Sequence, residues 1–100
     1  MEIIIGSSKI LKFLEAHSAA QTAFELWAKL LSQEDMSPYN FNQLSSALSG
    51  VYSRLEENGH LTAFGILCGS YWIITYVNYS RQCIYVHEVC EQTVYDQEKK

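Results

Sequence analysis

The side chains best suited to moving a proton or holding a phosphate lie near the end of the chain: His87, Tyr95 and Arg81. A histidine titrates near neutrality, so His87 is a candidate general acid or base, and Tyr95 is a second proton carrier close by in sequence. Arg81 offers a planar guanidinium for phosphate charge. Each also has a plainer reading. In a regular strand Cys83, Tyr85, His87 and Val89 share one face, which makes His87 a half-exposed strand residue beside Glu88. Arg81 falls in a predicted hairpin turn, where an exposed charge is ordinary. His60 and His17 are weaker candidates, and His17 lies on the apolar side of its helix, as a hydrogen-bonded border residue does.

Cys83, His87 and Cys90 carry the donor types of a zinc site. In a strand, however, Cys90 lies on the face opposite Cys83 and His87, and no fourth ligand is evident. They read as small buried groups, with no metal and no cofactor implied. The three cysteines (Cys68 is the other) form no CxxC pair and are odd in number, so they predict a reducing compartment rather than a disulfide framework.

Trp72, Ile74 and Tyr76 form one face of a predicted strand, and Tyr71, Ile73, Thr75 and Val77 the other. Both faces are largely apolar, so the sheet is either covered on both sides or sticky on one. An exposed Trp72–Tyr76 pair predicts a protein-binding face, aromatic and neutral to acidic, whose complexes resist salt. A fully internal pair is the alternative.

These residues need a scaffold, and 100 residues allow one core and one domain, residues 1–100. Apolar residues make up 48% and charged residues 18%, which excludes a disordered acidic tail. The net charge is −4, and neither half looks like the basic arm of a nucleic-acid binder. The longest apolar stretches are too short to span a bilayer, and the N-terminus lacks the basic flank of a signal peptide. A cytoplasmic product is expected.

Glu2–Ile5 reads as a strand. Ser7 or Ser8 caps a helix to about His17 through Ile10, Phe13 and Leu14. A second helix from about Ala19 to Ser32 aligns Ala23, Phe24, Trp27, Leu30 and Leu31. Asn40 can cap a short helix with Phe41, Leu44, Ala47 and Leu48, for two or three helices in all. Beyond Gly50 the period changes, and His60–Leu67, Tyr71–Asn78 and Gln82–Val89 read as a three-stranded antiparallel meander. The fold class is α+β, a four-stranded sheet with helices mainly on one face through Phe13, Phe24, Trp27 and Leu30.

Several pieces, in order, resemble the HigB-type toxins of bacterial toxin–antitoxin modules. They are Ile3-Ile4, then Lys12-Phe13 and His17; Leu26-Trp27; Asn40-Phe41 with Leu44; Phe64-x-Ile66; and Tyr71 with Val77. The closing stretch, Tyr79 to Val86, then Val89 and Tyr95-Asp96, is the most specific. The resemblance covers nearly the whole chain and implies a RelE-like ribonuclease fold. It also implies an endoribonuclease that cuts mRNA on the ribosome and is silenced by an antitoxin. In that reaction the 2′-hydroxyl attacks the adjacent phosphate, so the site needs proton carriers and cations that offset the growing charge.

The sequence departs from that pattern at the cations. Positions where the resemblance implies basic residues hold Trp72, Tyr76 and His87, and the terminal histidine aligns with Gln92. Tyr85, His87, Tyr95, Asp96 and Arg81 survive, with His60 at the start of the meander. Two readings follow. One is an mRNA interferase using His87 and Tyr95 for proton transfer and Arg81 for phosphate charge, with an antitoxin, ribosome and mRNA as partners. The other is a non-catalytic module of bacterial or phage type that binds a protein through Trp72, Tyr76 and Gln92.

Overall fold

In the computed structural model, which describes residues 1–48 and 54–98, one sheet of five strands carries four helices. The order along the chain is β1 (Glu2–Ile5), α1 (Ser8–Ala16), α2 (Ser18–Leu31), α3 (Phe41–Leu48), β2 (Leu55–Asn58), β3 (Leu61–Ile66), β4 (Tyr71–Asn78), β5 (Cys83–Glu91) and α4 (Gln92–Glu98). Across the sheet the order is β1-β5-β4-β3-β2. β1 runs parallel to β5, and every other pairing is antiparallel. The molecule is therefore α+β, as the change of hydrophobic period predicts.

The helices begin and end where local chemistry allows. Ser7 sits in extended backbone, and its Oγ accepts from the Lys9 N–H at 3.2 Å, capping α1. His17 separates α1 from α2; its ring stacks on Phe13 at 4.1 Å, and its Nε2 lies 3.3 Å from Glu91 Oε1. It is the half-buried border residue that its helical phase predicts. Asn40 Oδ1 accepts from the Gln43 N–H at 2.9 Å, at the start of α3.

One face of the sheet carries the main core. Phe64, Ile73 and Val89 form one rung across β3, β4 and β5, and Val77 and Ile84 form another with Ile3 of β1. Ile10, Leu14, Phe24, Trp27, Leu31, Leu44 and Leu48 pack on them from the helices. Trp27 is completely buried, with Phe24 and Phe64 rings at 5.3 and 5.1 Å. The predicted phase of α2 is correct; Phe13 and Leu30 lie at the margin of this core, half-buried.

Three features differ from the sequence reading. The meander has a further strand, β2, and His60 lies in the turn joining β2 to β3 rather than in a strand. That turn is Gly59-His60, with Gly59 at φ +63°, where glycine has no steric penalty. A fourth helix follows β5 and covers part of the second face. Under it Ala63, Trp72, Ile74, Cys90 and Tyr95 form a smaller core of their own. Trp72 is consequently 3% exposed, not a free surface residue, because Tyr95 of α4 stacks on its ring at 4.2 Å. Tyr76, four residues further along the strand on the same face and beyond α4, is 42% exposed.

Candidate functional site

The second face of the sheet builds the site as a series of rungs. Gly65, Trp72 and Cys90 align across β3, β4 and β5. The next rung is Glu56, Ala63, Ile74 and Glu88, from β2 to β5. The next holds Asn58 beside Leu61, and Tyr76 beside Tyr85. Tyr95 lies over the first of these, and past its ring the face opens into a cleft of about 350 Å³. Asn58, Leu61, Ala63, Ile74, His87, Glu88 and Tyr95 line it.

A break in the ladder puts His87 there. Ile74 pairs with Glu88 but Thr75 pairs with Val86, so His87 is an extra residue in β5, a β-bulge. The bulge reverses the alternation: Val86 and Val89 both face the main core, while His87 and Glu88 both line the cleft. The regular alternation that groups His87 with Val89 on one face fails for this reason. Bulges recur beside functional sites because they re-aim a side chain without ending the strand.

Tyr95 is held from both sides of its phenol. It donates a hydrogen bond to Glu56 Oε2 and accepts one from Asn58 Nδ2 at 3.0 Å. Burial and the bond to Glu56 push the phenol up to about 12, against a smaller lowering by Asn58. The folded state thus favours the neutral phenol over the ionised one. In the unfolded chain this group ionises near its ordinary value of 10. Its contribution to stability is therefore complete below pH 10 and is lost as pH rises toward 12. Thermal melts across that interval should fall with pH, and Tyr95→Phe, which cannot ionise, should flatten the slope. An unchanged slope in the variant would refute the burial and bonding of this phenol.

Among the other predicted site residues, Arg81 stands apart. It lies exposed in the turn between β4 and β5, its N–H bonded to Asn78 Oδ1 at 3.1 Å. The turn that carries it is not among the elements lining the cleft. Thus His87 and Tyr95 share a cleft, and Arg81 does not join them. Gln92 opens α4, exposed, with its N–H on Ser70 O at 3.0 Å, away from the cleft. Cys83 and Cys90 face opposite ends of β4, pairing with Asn78 and Trp72. Among the described residues no three His, Cys, Asp or Glu side chains are placed to hold a metal.

Sequence reasoning missed Arg54, Glu56, Asn58 and Glu88. Arg54, Glu56 and Asn58 recur at every second position, which was the available signal for one strand face. Arg54 lies over two glycines beside Trp72. A Cβ on Gly65 would meet Arg54 Cβ at 2.8 Å and the Trp72 ring at 3.2 Å, and one on Gly69 would meet Arg54 Cδ at 2.7 Å. Arg54 is thus exposed beside Trp72 and Arg81 in the turn between β4 and β5, and among the described residues no lysine or arginine lines the cleft. Compared with known proteins, the chain matches no family model and no curated sequence, so its site is read from its own geometry.

Proposed function

We propose that this chain is a HigB/RelE-like protein that has lost mRNA cleavage and works in the cytoplasm as a protein-binding module. One observation carries the reading: among the described residues, those lining the cleft that unites His87 and Tyr95 include a carboxylate, Glu88, and no lysine or arginine. A phosphate entering it would find, among those residues, none of the lysine or arginine cations that its transition state needs. Removing one such stabiliser costs about 10²–10³ in rate in enzymes that depend on it. Here Trp72 and Tyr76 occupy positions where the resemblance implies basic residues. The phenol of Tyr95, moreover, already directs its proton to Glu56. The order of elements, a strand, helices and then antiparallel strands, supports the RelE-like part of the proposal.

A second reading, an active interferase with an antitoxin, draws support from His87 and Tyr95 lining the same cleft. Induced expression in a bacterial host, with growth and translation followed together, separates the two. The expected result is normal growth and intact mRNA on the ribosome. Translation arrest that disappears in His87→Ala or Tyr95→Phe would overturn the proposal in favour of the enzyme.

A further inference from the structure

We infer that two copies of this chain associate edge to edge through β1, each β1 pairing antiparallel with the other about a two-fold axis at Ile4. The inference concerns the margin of the sheet and holds whichever reading of the cleft is correct. Among the described residues β1 and β2 are the outermost strands of the sheet, and they treat their margins differently. β2 carries Glu56 and Glu57, charges of the kind that keep an edge from pairing further. β1 reads Glu-Ile-Ile-Ile, with its charge confined to the first position and its isoleucines half-buried. An apolar edge of that kind is a template for another strand.

The backbone register fixes what that edge presents. Glu2 pairs with Cys83 in parallel, and its N–H donates to Gln82 O at 2.9 Å. In a parallel ladder alternate residues turn their backbone groups to opposite sides, so Glu2 and Ile4 face β5 while Ile3 and Ile5 face outward. With the axis at Ile4, Ile3 meets Ile5 of the second copy and Ile5 meets its Ile3, each pair exchanging both backbone bonds. The side chains suit this register. Ile3 and Ile5 lie against the main core, so side by side they continue that apolar layer from one copy into the next. Ile4, opposite Tyr85, stands beside Ile4 of the second copy and extends the exposed Tyr85–Tyr76 stripe. Glu2 falls opposite Gly6, and among the described residues no atom lies within 4 Å of where a Gly6 Cβ would stand. The carboxylate therefore meets open space rather than a like charge across the strands. A second copy supplies this whole complement by symmetry, which makes it the occupant.

The test follows amide hydrogen exchange in the ¹⁵N-labelled full-length protein from about 10 μM to about 1 mM, the range suited to a small interface. Exchange at Ile3 and Ile5 should slow several-fold as concentration rises, in step with sedimentation moving from monomer to dimer. Ile4, whose N–H faces β5, should change far less. Ile4→Lys sets like charges at the closest approach of the two strands and should leave a monomer, and so should Ile4→Glu. Mixed together, the two variants should form a dimer again, because the substituted positions then face each other with opposite charge. If neither variant folds, the exchange of the unmodified chain still decides. A monomer throughout the range would overturn the inference and leave the edge to a strand of another protein. A dimer whose Ile3 and Ile5 exchange ignores concentration would overturn it too. So would no recovery on mixing two variants that melt as the unmodified chain does.

Discussion

Trp72→Ala is expected to lower the free energy of unfolding by about 3–5 kcal/mol, the usual range for emptying a large aromatic from a core. The site is small but closed. Trp72 is 3% exposed, parallel to the Tyr95 ring at 12° and 4.2 Å, and flush against the bare backbone of Gly65. Alanine would remove that stack and leave α4 with little to hold it, since Tyr95 is its buried anchor. Trp72→Phe should cost far less, because an aromatic surface remains and a buried indole N–H without a partner is removed. Urea denaturation of both variants checks the order. A loss below about 1 kcal/mol for Trp72→Ala would mean the second core does not form, and would return Trp72 to the binding surface.

Trp27→Ala should be at least as damaging, again about 3–5 kcal/mol, and different in character. Trp27 has no exposed surface and lies between Phe24 on its own helix and Phe64 in the sheet. It therefore joins α2 to β3, whereas Trp72 joins only α4 to the sheet. A domain of this size has about 5–15 kcal/mol in total, so either change leaves it marginal. Amide hydrogen exchange distinguishes them. Trp72→Ala should release α4 first while the helices on the main face stay protected, and Trp27→Ala should weaken every element together. Selective exchange of α4 in Trp27→Ala would contradict this division into two cores.

The elements of the main face were legible because each advertises one period. Ile10 and Leu14, and Phe24, Trp27 and Leu31, recur at helical spacing, and the Ile, Val and Tyr of β3 to β5 have no competing pattern. β2 was not legible in the same way. Leu55-Glu56-Glu57-Asn58 has little intrinsic strand preference and is a strand because β3 offers it a ladder, though the Asn58-Gly59 pair announced the turn. α4 is too short to show a period, so nothing in Trp72-Ile73-Ile74 could reveal that Tyr95 would cover one end of its face and leave Tyr76 open. His87 shows the limit most clearly. Its side was counted by alternation, and a single unpaired residue in β5 undoes the count. The histidine and tyrosine of the cleft were thus identified as residue types, while the carboxylate and amide facing them depended on the unexpected strand.

The parallel pairing of the first strand with the last has a consequence for how the protein is made. Glu2 finds its partner in Cys83, and Ile5 in Val86, so β1 has no strand to join until some eighty further residues have left the ribosome. The helices emerge earlier, with Phe24, Trp27 and Leu31 turned toward a sheet that does not yet exist. Such distant pairing slows folding, because the chain must close a long loop before the contacts reward it. During synthesis the nascent chain therefore displays its stickiest surface for longest, which makes it a natural client for holding chaperones and a poor candidate for folding in halves.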